Sequence, residues 1–272
     1  NGSVTTSGTQ SFTGPVTLGA ASTLTTTNSN VTFSSTVNGN YGLTVAAGTG
    51  DTTFTGAIGG STALNGLTVT TGALTAANIG LQSSASLSVT NSASSSITGV
   101  ISGTSSTLTK AGSGTLTLSG SNTYTGATTI SAGALRASNA AALGTTAAGT
   151  TVANGAALEI SGGITIGAES LTLNGSGISS AGALRNISGD NTFQGTITQA
   201  SASRINSDSG TLYLDVASGN GISGSYNLNF GGSGNIVVRD PIATSTGTLT
   251  KDGSGKLILA GNNTYSGNTT LS

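Results

Sequence analysis

Residues Thr107–Ser131 read TLTKAGSGTLTLSGSNTYTGATTIS, and Thr248–Ser272 repeat the text as TLTKDGSGKLILAGNNTYSGNTTLS. The copies begin 248 − 107 = 141 positions apart, and about two in three aligned residues are identical. In each copy a Lys-x-Gly-x-Gly turn leads into an alternating run, Leu116-Thr117-Leu118 or Leu257-Ile258-Leu259. A Gly then breaks the run, and Asn-Thr-Tyr-x-Gly opens the next. A segment this short cannot bury its apolar face alone, so its repetition implies stacking on neighbours.

Upstream, the order lies in the spacing. Phe12, Phe33 and Phe54 are 21 apart, and so are Val16, Val37, Ile58, Ile79 and Val100. Leu24 with Val45, and Leu43 with Leu64, keep the same step. That step is too long for a heptad and too short for a folded domain, but it suits one coil of a β-solenoid. Val16-Thr17-Leu18, Leu43-Thr44-Val45, Leu67-Thr68-Val69 and Leu87-Ser88-Val89 alternate apolar and hydroxyl residues, which puts one face in a core and the other in water. Parallel sheets covered on both faces show continuous apolar runs instead. Scattered Gly and β-branched residues disfavour helix, and the one Ala-rich patch, Ala137–Ala148, is short. The expected fold is therefore all-β, a parallel β-helix of roughly 12 turns of about 21–24 residues.

Corners are marked by Gly beside Asn, Asp or Ser, residues that tolerate left-handed backbone. A short aromatic motif recurs with them at Phe12, Phe54, Tyr124, Phe193 and Tyr265. Its later copies are 193 − 124 = 69 and 265 − 193 = 72 apart, or three coils each. The rings read as inward fillers, Gly126, Gly195 and Gly267 as bends, and Asn122, Asn191 and Asn263 as repeat corners. Between Ala132 and Gly163 the pattern loosens, which suggests a longer corner loop. Gly182–Ser209 is a diverged relative of the repeat, and strands are expected at Thr211–Val216 and Asn235–Val238. No composition break divides the chain. It reads as one continuous segment, 1–272, with regular 21-residue coils over 1–106 and the two copies at 107–131 and 248–272. Starting without Met and stopping inside a repeat copy, it reads as a piece of a longer protein.

Composition narrows the function. The 272 residues include no Cys, Met, Trp or His, only 6% charged side chains, and 44 Gly. Two Pro exclude collagen and polyproline readings, and the alternation argues against disorder. A net charge of −1 offers nothing to nucleic acid or anionic lipid. No run is long enough to span a bilayer, and no signal segment opens the chain. Absent cysteine fits an exported chain but does not identify the compartment.

Without His or Cys, the usual triads, thiol nucleophiles and soft-metal sites cannot be assembled. The eight carboxylates are Asp51, Glu159, Glu169, Asp190, Asp208, Asp215, Asp240 and Asp252. Glu159 with Glu169, or Asp190 with Asp208 and Asp215, are the groupings that could cleave a glycoside, and solvated charges at turns explain them equally. Gly219–Gly224 fits GxGxxG, but no helix is expected after it to hold a pyrophosphate. Gly231–Ile236 begins like a calcium-binding nonapeptide, yet Ile236 stands where the Asp ligand belongs. No enzyme activity, cofactor or metal is expected.

The text LTKxGxGTLTLSGxNTYxGxTTI resembles the passenger-associated repeat of bacterial autotransporters, nearly throughout Leu108–Ile130 and Leu249–Leu271. Thr6–Ala20 and the GALRNISGDNTFQGTIT stretch are similar to filler turns of large surface proteins that carry such repeats. The resemblance implies a right-handed parallel β-helix, export through the outer membrane, and a place on the cell surface. The translocating β-barrel of an autotransporter is not in this sequence. Three functions follow as expectations. The first is a structural or adhesive stalk or fibre of a surface protein, serving adhesion, cell contact or matrix formation. The second is a filament subunit self-associating end to end or side by side, and the third a polysaccharide-active enzyme. The expected partner is a ligand on a host or neighbouring-cell surface.

Overall fold

The structure, a computed structural model, describes residues 2–272. It is an all-β parallel β-solenoid of about 13 turns, close to the number expected. Among the described residues the one helical element is a 3-10 turn at Ile178–Ser180. Contacts gather the residues into two compact units: the first runs through Thr129 and adds Ala141–Thr145, and the second takes Ile130–Ala140 with Thr146–Ser272.

In the first unit each coil lays down short strands on successive faces, as in Ser22–Thr26, Val31–Phe33 and Val37–Asn38. The strands pair in parallel with counterparts in adjacent coils, as Ser22–Thr26 does with Ser3–Thr6 and Leu43–Ala46. Period-two alternation sorts the side chains. The inner column of one face runs Phe12, Phe33, Phe54, Ala76, Ile97 and Leu118. Beside it an outer column runs Ser11, Thr32, Thr53, Thr75, Ser96 and Thr117, a ladder of hydroxyls. The three rings stack with centroids 4.8 and 4.7 Å apart and planes 12° and 6° from parallel.

On another face Val16, Val37, Ile58 and Ile79 align in register. The next member of that column is Ile101, not Val100, which is 36% exposed. Asn78 Oδ1 accepts the Val100 amide at 2.8 Å and pins Val100 in the corner, so the column advances by 22 there. Leu43 pairs with Leu67 rather than with Leu64. Extra residues around Gly59 and Gly60 lengthen that coil, and Leu64 bridges Leu81 instead.

Corner Asn and Asp residues act mainly as clips between coils. Asn28, Asn30 and Asp51 accept the amides of Thr49, Asp51 and Ala73 one coil on, at 3.0, 2.8 and 2.8 Å. Asn28 also adopts positive φ, but Asn30 and Asp51 do not. The expectation that such residues serve by tolerating left-handed backbone is thus replaced by a hydrogen-bonding one.

The second unit keeps the scheme with more irregularity. One face runs Thr165–Ile166, Asn191–Phe193, Thr211–Leu214, Asn235–Val238 and Leu257–Leu259, each paired with the next. The strand expected over Thr211–Val216 stops at Leu214, and the Val216 amide instead donates to Asp240 Oδ2 at 2.6 Å. Ile197–Ser207 is an eleven-residue strand that serves two faces: its first end pairs with Leu171–Gly175 and Ile222–Ser223, its last with Leu184–Ser188 and Leu228–Gly231. Register slips between Leu173 and Gly175, where two extra residues of the long strand are accommodated between Gln199 and Ser203. The loose stretch 132–163 contains three strands, and its longest run without one is 138–149. Gly219–Gly224 leads into the strand Ile222–Ser223, with no helix. Among the described residues no helix is long and apolar enough to cross a membrane.

Candidate functional site: the repeat copies and the charged face

Alternation puts Leu108 and Lys110 on the same inward side of Thr107–Ala111, so the motif's lysine enters the core. Lys110 has 0% exposure and pairs in register with Val89. Its methylene stem packs as an apolar side chain, and its ammonium donates to the Ala111 and Gly112 carbonyls at 2.7 and 2.9 Å. Lys251 repeats this with Asp252 and Gly253 at 2.5 and 2.8 Å. The Lys-x-Gly corner turns two carbonyls inward, and the lysine satisfies them. Burial pushes the Lys110 amine down to about 8.

The Asn-Thr-Tyr-x-Gly text is equally regular. Asn122 Oδ1 accepts the Ile101 amide at 2.8 Å, and Asn263 Oδ1 that of Ile242 at 2.9 Å. Tyr124 and Thr128 share a hydroxyl hydrogen bond at 2.7 Å, matched by Tyr265 and Thr269 at 3.0 Å. In the diverged copy Asn191 Oδ1 accepts the Ile164 amide at 2.7 Å, while Phe193 fills the ring position with no hydroxyl. Tyr124 and Phe193 are buried, and Tyr265 is half-buried. Gly126, Gly195 and Gly267 do not take positive φ. They are required by close approach instead: a Cβ would lie 2.4, 1.6 and 2.2 Å from the carbonyl oxygens of Ser106, Glu169 and Gly247.

Of the 15 charged side chains, all but Asp51 and Lys110 lie in the second unit. Arg136, Glu159, Arg185 and Asn206 succeed one another in register on one face. Glu159 accepts from Arg136 at 2.7 Å and pairs with Arg185 at 3.3 Å, and Arg185 pairs with Asp208 at 2.6 Å. Charges alternate in sign along the stack, as close parallel spacing demands. Nearby, both guanidinium ends of Arg204 meet the two oxygens of Asp252 at 2.6 Å, which holds that carboxyl below the usual carboxylate range. Beside this pair is a polar groove of about 410 Å³ that includes Ser176, Ser203, Asn227 and Asn229.

The two carboxylate groupings do not act as clusters. Glu169 turns inward to Thr150 Oγ1 at 2.9 Å, whereas Glu159 faces its arginines. Asp190 accepts the Thr211 amide at 2.8 Å, Asp208 pairs with Arg185, and Asp215 pairs with Arg239, whose guanidinium also lies 4.9 Å from the Tyr213 ring. Burial raises the Glu169 carboxyl to about 7, with the Thr150 bond opposing the shift. Sequence reasoning misses the inward lysines, although their even spacing from Leu108 and Leu249 is a visible signal.

Parallel coils clipped by buried Lys, Asn and Tyr side chains define a β-solenoid repeat protein. Residues 108–137 and 249–272 match the passenger-associated-transport-repeat family. Together with the solenoid, these matches fit an autotransporter passenger β-helix repeat protein. Searches of curated proteins and of solved structures returned no match to the chain.

Proposed function

We propose that this passenger segment is a rigid stalk or fibre of an exported bacterial surface protein, presenting polar faces for adhesion, cell contact or matrix formation. The observation that carries the reading is the hydroxyl ladder Ser11–Thr32–Thr53–Thr75–Ser96–Thr117, backed by an apolar column in strict register. Such a face has no charge to repel itself between layers, and each coil adds a neighbour interface, so stiffness accumulates with length. The charged face of the second unit adds the polar groove beside Arg204, a concave contact surface for a ligand on a host or neighbouring cell. No catalysis belongs to this proposal, because Glu159, Asp208, Asp215 and Asp252 are engaged by arginines and Glu169 faces the core. Fractionation of the producing bacterium tests the location, and adhesion of cells to a surface coated with the purified chain tests the role. Surface exposure with cell binding supports the proposal; a cytosolic protein, or a coated surface no stickier than bare support, ends it.

A further inference from the structure

The groove beside Arg204 belongs to the body of the solenoid, because every strand that lines it is paired on both sides. Leu171–Gly175 lies between Thr150–Val152 and Ile197–Ser207. Leu228–Gly231 lies between Ile197–Ser207 and Leu249–Lys251, which Thr269–Leu271 covers in turn. The irregular coil shapes the groove. Gly175 takes φ +75°, and a Cβ there would lie 1.9 Å from Asn154 Oδ1, so glycine is what lets that amide lie against the strand. Ser179 and Ser180 also take positive φ, at 49° and 59°, in the turn whose Ser176 and Ser180 line the groove.

The groove offers unused donors and acceptors without net charge. Arg204, Asn229 and Thr250 follow one another in register. Arg204 is the one charged residue in the lining, and Asp252 neutralises it through both oxygens. Asn229 Nδ2 donates to Asp252 Oδ2 at 3.1 Å, and its Oδ1 is an acceptor that the protein itself does not satisfy. Asn227 uses Oδ1 on the Thr248 amide at 3.0 Å, which leaves Nδ2 free. Among the described residues no hydrogen bond engages the Asn154 side chain or the Thr248 and Thr250 hydroxyls. An anion would need donors alone, and a cation acceptors alone. An added peptide strand would need an unpaired sheet edge, which these strands do not offer. Intermixed donors and acceptors suit groups that each give and take a hydrogen bond, as hydroxyls do.

We infer that this groove binds a neutral oligosaccharide. The inference rests on the reading of the groove as a contact surface and names what that surface takes. Sugar hydroxyls accept from Asn154 and Asn227 Nδ2 and exchange hydrogen bonds with Thr248 and Thr250. The groove crosses successive coils, ~4.8 Å apart, close to the length of one hexose unit in an extended chain. Successive sugars therefore meet successive coils, and affinity grows with chain length.

The test titrates the full 272-residue chain with neutral mono-, di- and tetrasaccharides of glucose, galactose, mannose and N-acetylglucosamine, with tetragalacturonate as the anionic control. Side-chain amides of the labelled chain are followed by NMR. The expected result, for at least one neutral series, is a saturable shift of Asn154 and Asn227 with Asn30 unmoved, and affinity that rises with length. Asn154→Ala and Thr250→Val remove groups that hold nothing in the fold, so each should weaken binding about five-fold at unchanged melting temperature. Ala202→Ile puts a branched side chain into the groove and should weaken it further. No shift at millimolar sugar, equal binding by all three variants, or a preference for tetragalacturonate overturns the inference. A chain that fails this titration while cells still adhere to it overturns the sugar inference and leaves the adhesive reading standing. A chain that binds sugar but holds no cells supports the inference and ends the adhesive reading.

Discussion

Phe33 lies flat on Phe54, ring centroids 4.7 Å apart and planes 6° from parallel, although 21 residues separate them in the chain. Phe12 covers the other side of Phe33 at 4.8 Å. Stacking of one coil on the next brings them together, and the sharpest stability prediction concerns the middle ring.

Phe33 is 1% exposed between two rings, so Phe33→Ala should cost roughly 3–5 kcal/mol in urea unfolding. Phe12 is half-exposed, and Phe12→Ala should cost clearly less. Equal losses from the two variants would mean that the rings do not form an ordered stack.

Lys110 should leave a mark on the alkaline limb of stability. Its amine is held at about 8 against an ordinary 10.5. Between those values the unfolded chain binds the proton more than the folded one does, so stability climbs as pH rises from 8 to 10.5. Thermal melts should show that climb in the native chain and not in Lys110→Met, which should also be less stable at neutral pH because two inward carbonyls lose their donor.

Glu169 acts in the opposite direction. Its carboxyl is raised to about 7 from 4.5, so the folded chain holds the proton more tightly across that window. The contribution is fully present below 4.5 and is lost as pH rises through 7. Glu169→Gln should therefore flatten the melting profile between about pH 5 and 8 and be more stable than the native chain at the upper end. An unchanged slope would show that the carboxyl is not buried.

Gly195→Ala should be among the most damaging single-methyl changes in the second unit, since its Cβ would fall 1.6 Å from Glu169 O. A loss of about 3 kcal/mol or more in unfolding free energy is expected. At Gly14 a Cβ would meet nothing within 4 Å, and Gly14→Ala should be near neutral.

The first hundred residues are legible because apolar side chains recur at a nearly constant step while outward neighbours stay polar. The step misleads where a corner changes length: near Gly59 the coil gains residues and moves the partner of Leu43 from Leu64 to Leu67. One residue more before Ile101 likewise displaces Val100 from the column. The long strand Ile197–Ser207 escapes notice because its middle, Ala200-Ser201-Ala202, is small and without alternation. Side-chain roles are harder still. Asn122, Asn191 and Asn263 read as corner formers, and only coil-to-coil geometry shows them accepting amides from the neighbouring coil. Lys110 and Lys251 escape as core residues because burial of an ammonium depends on carbonyls that the sequence does not display.

The central claim is that the chain winds coil upon coil in register, and Thr32 and Thr53, paired on the outer face, test it most directly. The native chain has no cysteine, so disulfide trapping in Thr32→Cys/Thr53→Cys has no background. Adjacent parallel strands, about 4.8 Å apart, lie within disulfide reach, whereas two coils, about 9.6 Å, do not. Mild oxidation should cross-link Thr32→Cys/Thr53→Cys within the folded chain and leave Thr32→Cys/Thr75→Cys reduced. A pair at 32 and 53 that stays reduced, or that links no faster than 32 with 75, would contradict the account.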